Sequence, residues 1–74
     1  MTLKALRAAL KHPDERVRAQ ALRAIGYMGQ DAAEAIPELV AMIARGLNAA
    51  EAMEALREIG DEAEEALEGI GGIS

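Results

Sequence analysis

Cysteine is absent from this 74-residue chain, so neither a disulfide nor a thiolate metal site can hold it together. Phenylalanine and tryptophan are absent too, and Tyr27 is the sole aromatic residue. Without large rings the core has to be thin. It must be built from Leu, Ile, Val and Met over seventeen alanines that let backbones approach closely. The want of aromatics also removes the stacking platforms that hold single-stranded nucleic acid, and a net charge of −5 argues the same way. There is one Ser, one Thr and one His, and they form no nucleophile arrangement with the acids. Apolar runs of membrane-spanning length are missing, as is a signal-peptide pattern, so no membrane partner or targeting signal is expected. The absence of Cys fits a reducing compartment. A domain this small with no staple must be idealised or oligomeric to be stable.

The charge that is present is unevenly spread. Residues 1–30 carry six Lys or Arg against two acids, a net of +4. Residues 31–74 carry two against eleven, a net of −9. One half of the molecule is basic and the other strongly acidic.

Apolar spacing predicts five short helices. The first runs from Thr2, a hydroxyl cap, to Lys11, with Leu3, Leu6 and Leu10 on one side and Lys4, Arg7 and Lys11 opposite. His12-Pro13 ends it, and Pro13 suits the first turn of a second helix that reaches Met28. Val17, Ala21, Ala24, Ile25 and Met28 form that helix's inner face; Arg16, Gln20, Arg23 and Tyr27 form its outer one. The third helix, Asp31 to Leu47, is apolar on nearly every side and is expected to sit at the centre, with Ile43 fully buried. Asp31 and Glu34 have capping-box spacing, Pro37 should bend the helix, and Gly46 should end it. Asn48 and Glu51 repeat the capping spacing for a fourth helix to Ile59, with Ala52, Met53, Ala55, Leu56 and Ile59 inward. Asp61 and Glu64 repeat it again for a fifth helix to Ile70, and residues 71–74 read as a short tail.

The chain repeats itself. Ala21-Leu22-Arg23-Ala24-Ile25-Gly26 returns as Ala55-Leu56-Arg57-Glu58-Ile59-Gly60, an offset of 34; Ala32–Ile36 returns as Ala63–Leu67, an offset of 31. The unit is a pair of helices. With His12-Pro13-Asp14-Glu15-Arg16-Val17-Arg18 before the first copy and Ala35-Ile36-Pro37-Glu38-Leu39 after it, the pattern resembles HEAT repeats of the short bacterial lyase type. The second copy departs from it: Leu47-Asn48 stands in place of the Pro turn and Glu51-Ala52 in place of Val-Arg. The resemblance implies an all-α solenoid fragment of about two and a half helical hairpins, a scaffold or partner-binding role, and no activity. It also implies a structural contact between repeats for Arg18. The heavy use of Ala and the repeated capping pairs look like an idealised, computationally designed helical sequence.

No cofactor, metal or small-molecule substrate is expected. His12 lacks partners at ligand spacing, and the run Glu62, Glu64, Glu65, Glu68 lacks the Gly-containing loop of a calcium site. The expected partner is a second copy. Basic Thr2–Lys11 should meet acidic Asp61–Ile70 of the next chain, closing a head-to-tail ring. Leu3, Lys4, Ala5, Arg7, Ala8 and Lys11 would form one side of that contact, and Ala63, Glu64, Glu65, Ala66, Leu67 and Ile70 the other. The alternative is a peptide-binding face made by Arg16, Gln20, Arg23 and Tyr27.

Overall fold

A computed structural model describes residues 2–60 of the chain. They form four α-helices: α1 (Leu3–Ala9), α2 (Glu15–Met28), α3 (Ile36–Arg45) and α4 (Ala49–Ile59), with a 3₁₀ segment, Gly29–Ala35, leading into α3. Among the described residues there is no strand, and the fold is the all-α, solenoid-like one that the resemblance implied. The fifth helix and the tail expected over 61–74 lie outside the described residues.

The caps explain where the first two helices begin. The Ala5 amide donates to the Thr2 hydroxyl at 3.2 Å, closing the open first turn of α1. In α2 the cap is Asp14, whose carboxylate accepts from the Arg16 amide at 2.8 Å. Pro13 therefore stands before the helix, not in its first turn. His12 is exposed, and its Nδ1 accepts from the Asp14 amide at 3.0 Å. The backbone and side-chain bonds from Arg16 hold the Asp14 carboxyl below the ordinary aspartate range. A depressed folded-state pKa gives stability above the unfolded value that is lost as pH falls through the folded one. The melting temperature of Asp14→Ala should therefore lie below the parent's at neutral pH. The gap should close as the pH falls below the ordinary aspartate range, and paired thermal melts check this.

Two expected capping boxes are absent. Neither the 3₁₀ segment nor α4 begins with a side-chain cap. Asp31 lies inside the 3₁₀ segment, where its amide is not the start of a free helical turn. The reason for this segment is Pro37. A continuous α-helix from Asp31 would need a Pro37 amide hydrogen, which does not exist. The chain instead winds tightly to Ala35 and restarts as α3, so Pro37 falls in the first turn, where no hydrogen is required. The expected bend inside one long helix is thus a change of helix type.

The ends behave as glycine dictates. Gly46 takes a left-handed φ of 73°, and the Gly46 and Leu47 amides turn back to Ile43 and Met42 carbonyls at 3.1 and 2.9 Å. Asn48 also has positive φ, at 50°, which is uncommon for a residue with a Cβ.

The core is centred on α2 against α4, not on the third helix. Leu22, Ile25, Leu39, Leu56 and Ile59 are the largest fully buried side chains, joined by Leu6, Leu10, Met42 and the alanines 21, 32, 35, 52 and 55. Leu22 was missing from the expected inner face of α2. That face is set by α4 across the repeat, which pulls Leu22 and Gly26 inward and leaves Val17, Ala24 and Met28 half-buried. In α3 only Leu39 and Met42 are buried; Ile36, Val40 and Ile43 are half-buried, Ala41 and Ala44 are exposed, and so is Leu47 just beyond its end. A helix of mostly apolar residues is therefore covered along one stripe, because alanines contribute little burial and need little cover. Met53, expected inward, is exposed on α4.

Candidate functional site

Three surfaces could act, and each is best built from the helices that hold it. The first is the outer side of α1. Lys4, Ala5, Ala8 and Lys11 are exposed there and Leu3 is half-buried. Arg7, expected on the same docking face, is engaged within the chain. Its Nε and Nη2 donate to the Glu38 carboxylate at 2.7 and 2.5 Å, and Glu34 lies 3.6 Å from Nη1. This bond and the charge of Glu38 raise the Arg7 pKa further. The bidentate pair ties α1 to α3.

Between α1 and α2 lies a small cleft of about 290 Å³, lined by Leu6, Ala9, Val17, Gln20, Ala21 and Ala24. No charged side chain lines it. It opens on the side of α2 away from the α4 contact, because Val17, Ala21 and Ala24 lie a turn apart along one stripe while Leu22 and Ile25 lie along another.

The second surface is a groove of about 320 Å³ where α4 leans on α2. Ala19, Leu22, Arg23 and Tyr27 make one wall, and Glu51, Glu54, Ala55 and Glu58 make the other. Tyr27 is 80% exposed at its rim. Of the expected peptide-binding face, Arg23 and Tyr27 meet here; Gln20 lines the α1–α2 cleft, and Arg16 lines neither. The carboxylate wall was missed in sequence because its members stand far from Tyr27 in the chain. The 34-residue repeat offset was the signal that could have found them.

The third is a polar seam through the joint between repeats. Arg18 Nε donates to Asn48 Oδ1 at 2.8 Å, and its Nη1 donates to the His12 and Pro13 carbonyls at 2.8 and 3.0 Å. Asn48 Nδ2 donates to the Glu15 carbonyl at 3.3 Å. Asn48, expected as a helix cap, is thus spent on the other repeat, and its left-handed backbone aims it there. The inter-repeat role implied for Arg18 is what the geometry has. This seam stabilises; it offers no reactive group.

Among the described residues no group of three His, Asp or Glu side chains could hold a metal ion, and no helix is long and apolar enough to cross a membrane. In a comparison with known protein families, the family model described as HEAT repeats matches residues 3–70. No curated protein and no solved structure matches the chain.

Proposed function

Since the chain belongs to the HEAT repeats family, whose members are typically structural scaffolds for protein interaction and generally lack catalysis, we propose that it is a scaffold module that associates with itself. Copies join head to tail through their two ends, and the curvature of the stack closes a ring. The observation that carries this reading is the α1–α2 cleft. Stable repeat arrays end in units with polar outer faces. Here the first repeat ends instead in Leu6, Ala9, Val17 and Ala24, a surface fit for an internal repeat. Exposed Lys4 and Lys11, which line a separate recess with Ala8 and Glu38 on the other side of α1, would favour the acidic sequence of residues 61–70 over a like end. The contact set expected from the sequence is retained for Leu3, Lys4, Ala5, Ala8 and Lys11. Ala63, Glu64, Glu65, Ala66, Leu67 and Ile70 lie outside the described residues.

Light scattering on the parent and on Leu67→Glu tests it. The parent should run as a closed multiple of the 7.8 kDa chain. Leu67→Glu should weaken association by roughly a hundredfold, the value of one buried leucine. Moderate salt should weaken assembly without abolishing it. A monomeric parent, or a two-fold dimer joined through one end, would sink the ring.

The bacterial lyase type of the repeat and a designed origin belong to the same proposal. Composition supports design: seventeen Ala and no Cys, Phe or Trp in 74 residues. The capping pairs no longer do, since Asp31 and Asn48 do not cap. A second reading, a peptide site in the α2–α4 groove, is favoured by the exposure of Tyr27 beside Arg23. Titration of Tyr27 fluorescence with peptides of either charge would test that reading, and an unchanged signal throughout would remove it.

A further inference from the structure

The chain already contains one complete joint between repeats, and it shows how a second copy would dock. Within the chain α4 turns Glu51, Glu54, Ala55 and Glu58 toward the groove it forms with α2, where Ala55 and the Glu58 side chain lie close over Gly26. Shifted back by the 34-residue repeat, these positions become Val17, Gln20, Ala21 and Ala24. Those are the four α2 residues that line the open cleft at the first-repeat end. Burial follows the same shift: Ala21, Leu22 and Ile25 are buried, as are Ala55, Leu56 and Ile59. The face of α2 that opens into the cleft is therefore the face that α4 uses to sit on its neighbour, without its neighbour.

The receiving wall can be shifted forward in turn. Ala19 and Arg23, which take α4 inside the chain, become Met53 and Arg57. Both are exposed, and Met53 is one of three large apolar side chains that are so among the described residues. We propose that Met53 and Arg57 on α4 of one copy receive the Val17–Ala24 face of α2 of the next, in the register α2 and α4 already use inside the chain. This deepens the self-association proposed above and rests on it. The occupant is a second copy of this chain because α4 of the chain itself carries the matching register, 34 residues on from α2.

Chemistry distinguishes the two joints. Inside the chain the α4 wall is acidic and meets Arg23. Between copies the wall would be Val17, Gln20 and Ala24, which are uncharged. Contact of the Met53 thioether chain with Val17 and Ala24 then supplies the attraction, and Met adapts to such shallow apolar recesses. This part of the association does not depend on salt.

Two single variants of the full chain test the register. Ala24→Arg fills the cleft and sets a cation against Arg57. Met53→Arg places a cation on the opposing face, at an exposed site. Each variant has one damaged and one intact face. Each alone should run at the monomer mass by light scattering, with the parent's helical circular dichroism. Mixed in equal amounts, the intact Met53 face of one should meet the intact cleft of the other. The mixture should double in mass to a one-to-one dimer and grow no further, since the remaining faces both carry arginine. A variant that assembles like the parent, or a mixture that stays monomeric, overturns the proposal. If Leu67→Glu is monomeric while both arginine variants assemble, head-to-tail association stands and this register falls. A parent that is monomeric at every concentration overturns both.

Discussion

Leu22→Asp should leave the chain with no cooperative thermal transition. Leu22 is wholly buried in the middle of α2, at the contact with α4. The substitution removes a core side chain and leaves a carboxylate with no partner, a change that costs about 4–5 kcal/mol or more. A chain of 74 residues has a total stability of roughly 4–11 kcal/mol. The loss is therefore comparable with all the stability there is. Ile43→Asp is the comparison that gives this result meaning. Ile43 is half-buried, so an aspartate there can reach water, and that variant should melt cooperatively at a lower temperature. Thermal melts by circular dichroism decide it. If Ile43→Asp loses its transition and Leu22→Asp keeps it, the centre of the molecule is α3 after all.

Asn48→Ala should cost about 3 kcal/mol in urea denaturation, and Asn48→Gly about 2. Both remove the bonds to Arg18 and to the Glu15 carbonyl, which strands the Arg18 guanidinium on that side. A hydrogen bond to a charged group contributes about 1.5–3 kcal/mol. The difference between the two variants is conformational. Asn48 holds a φ of 50°, which glycine adopts freely and alanine resists by about 1 kcal/mol. Arg18→Met should cost about 2 kcal/mol, because it leaves the buried Asn48 Oδ1 without its donor. Combining Arg18→Met with Asn48→Gly should cost clearly less than the two separately, since they cut the same bond. Strict additivity would mean that the two side chains do not act as one unit.

Periodicity and punctuation made much of this fold legible. The stripe Leu6, Leu10 placed α1, Ala21 and Ile25 placed part of the buried face of α2, Ala52, Ala55, Leu56 and Ile59 placed that of α4, and Gly46 and Gly60 ended their helices where expected. What the sequence hid were effects that need a second element to exist. Leu22 lies outside the expected stripe of α2 because that helix has two buried sides, one for each neighbour. Asn48 reads locally as a cap; only across 30 residues does Arg18 claim its side chain. Arg7 reads as surface charge until Glu38 meets it. For the candidate site, one wall of each cleft was visible in the sequence. The wall of Glu51, Glu54 and Glu58 opposite Arg23 and Tyr27 depends on how α4 packs on α2, which no helical wheel contains.

The 3₁₀ segment sets the distance between the two repeats. A 3₁₀ helix rises about 2.0 Å per residue and an α-helix about 1.5 Å. Rewinding the seven residues Gly29–Ala35 from one to the other would change the span between α2 and α3 by about 3.5 Å. The hydrogen bonds of the segment are the weaker 3₁₀ kind, while Ala32 and Ala35 are fully buried in the core and hold it in place. Pro37 stops the rewinding from running into α3. The connection between the first repeat and the second is therefore a spacer whose reach is set by its winding, with Pro37 as its fixed end. Two repeats joined by an α-helical spacer of the same seven residues would stand at a different pitch.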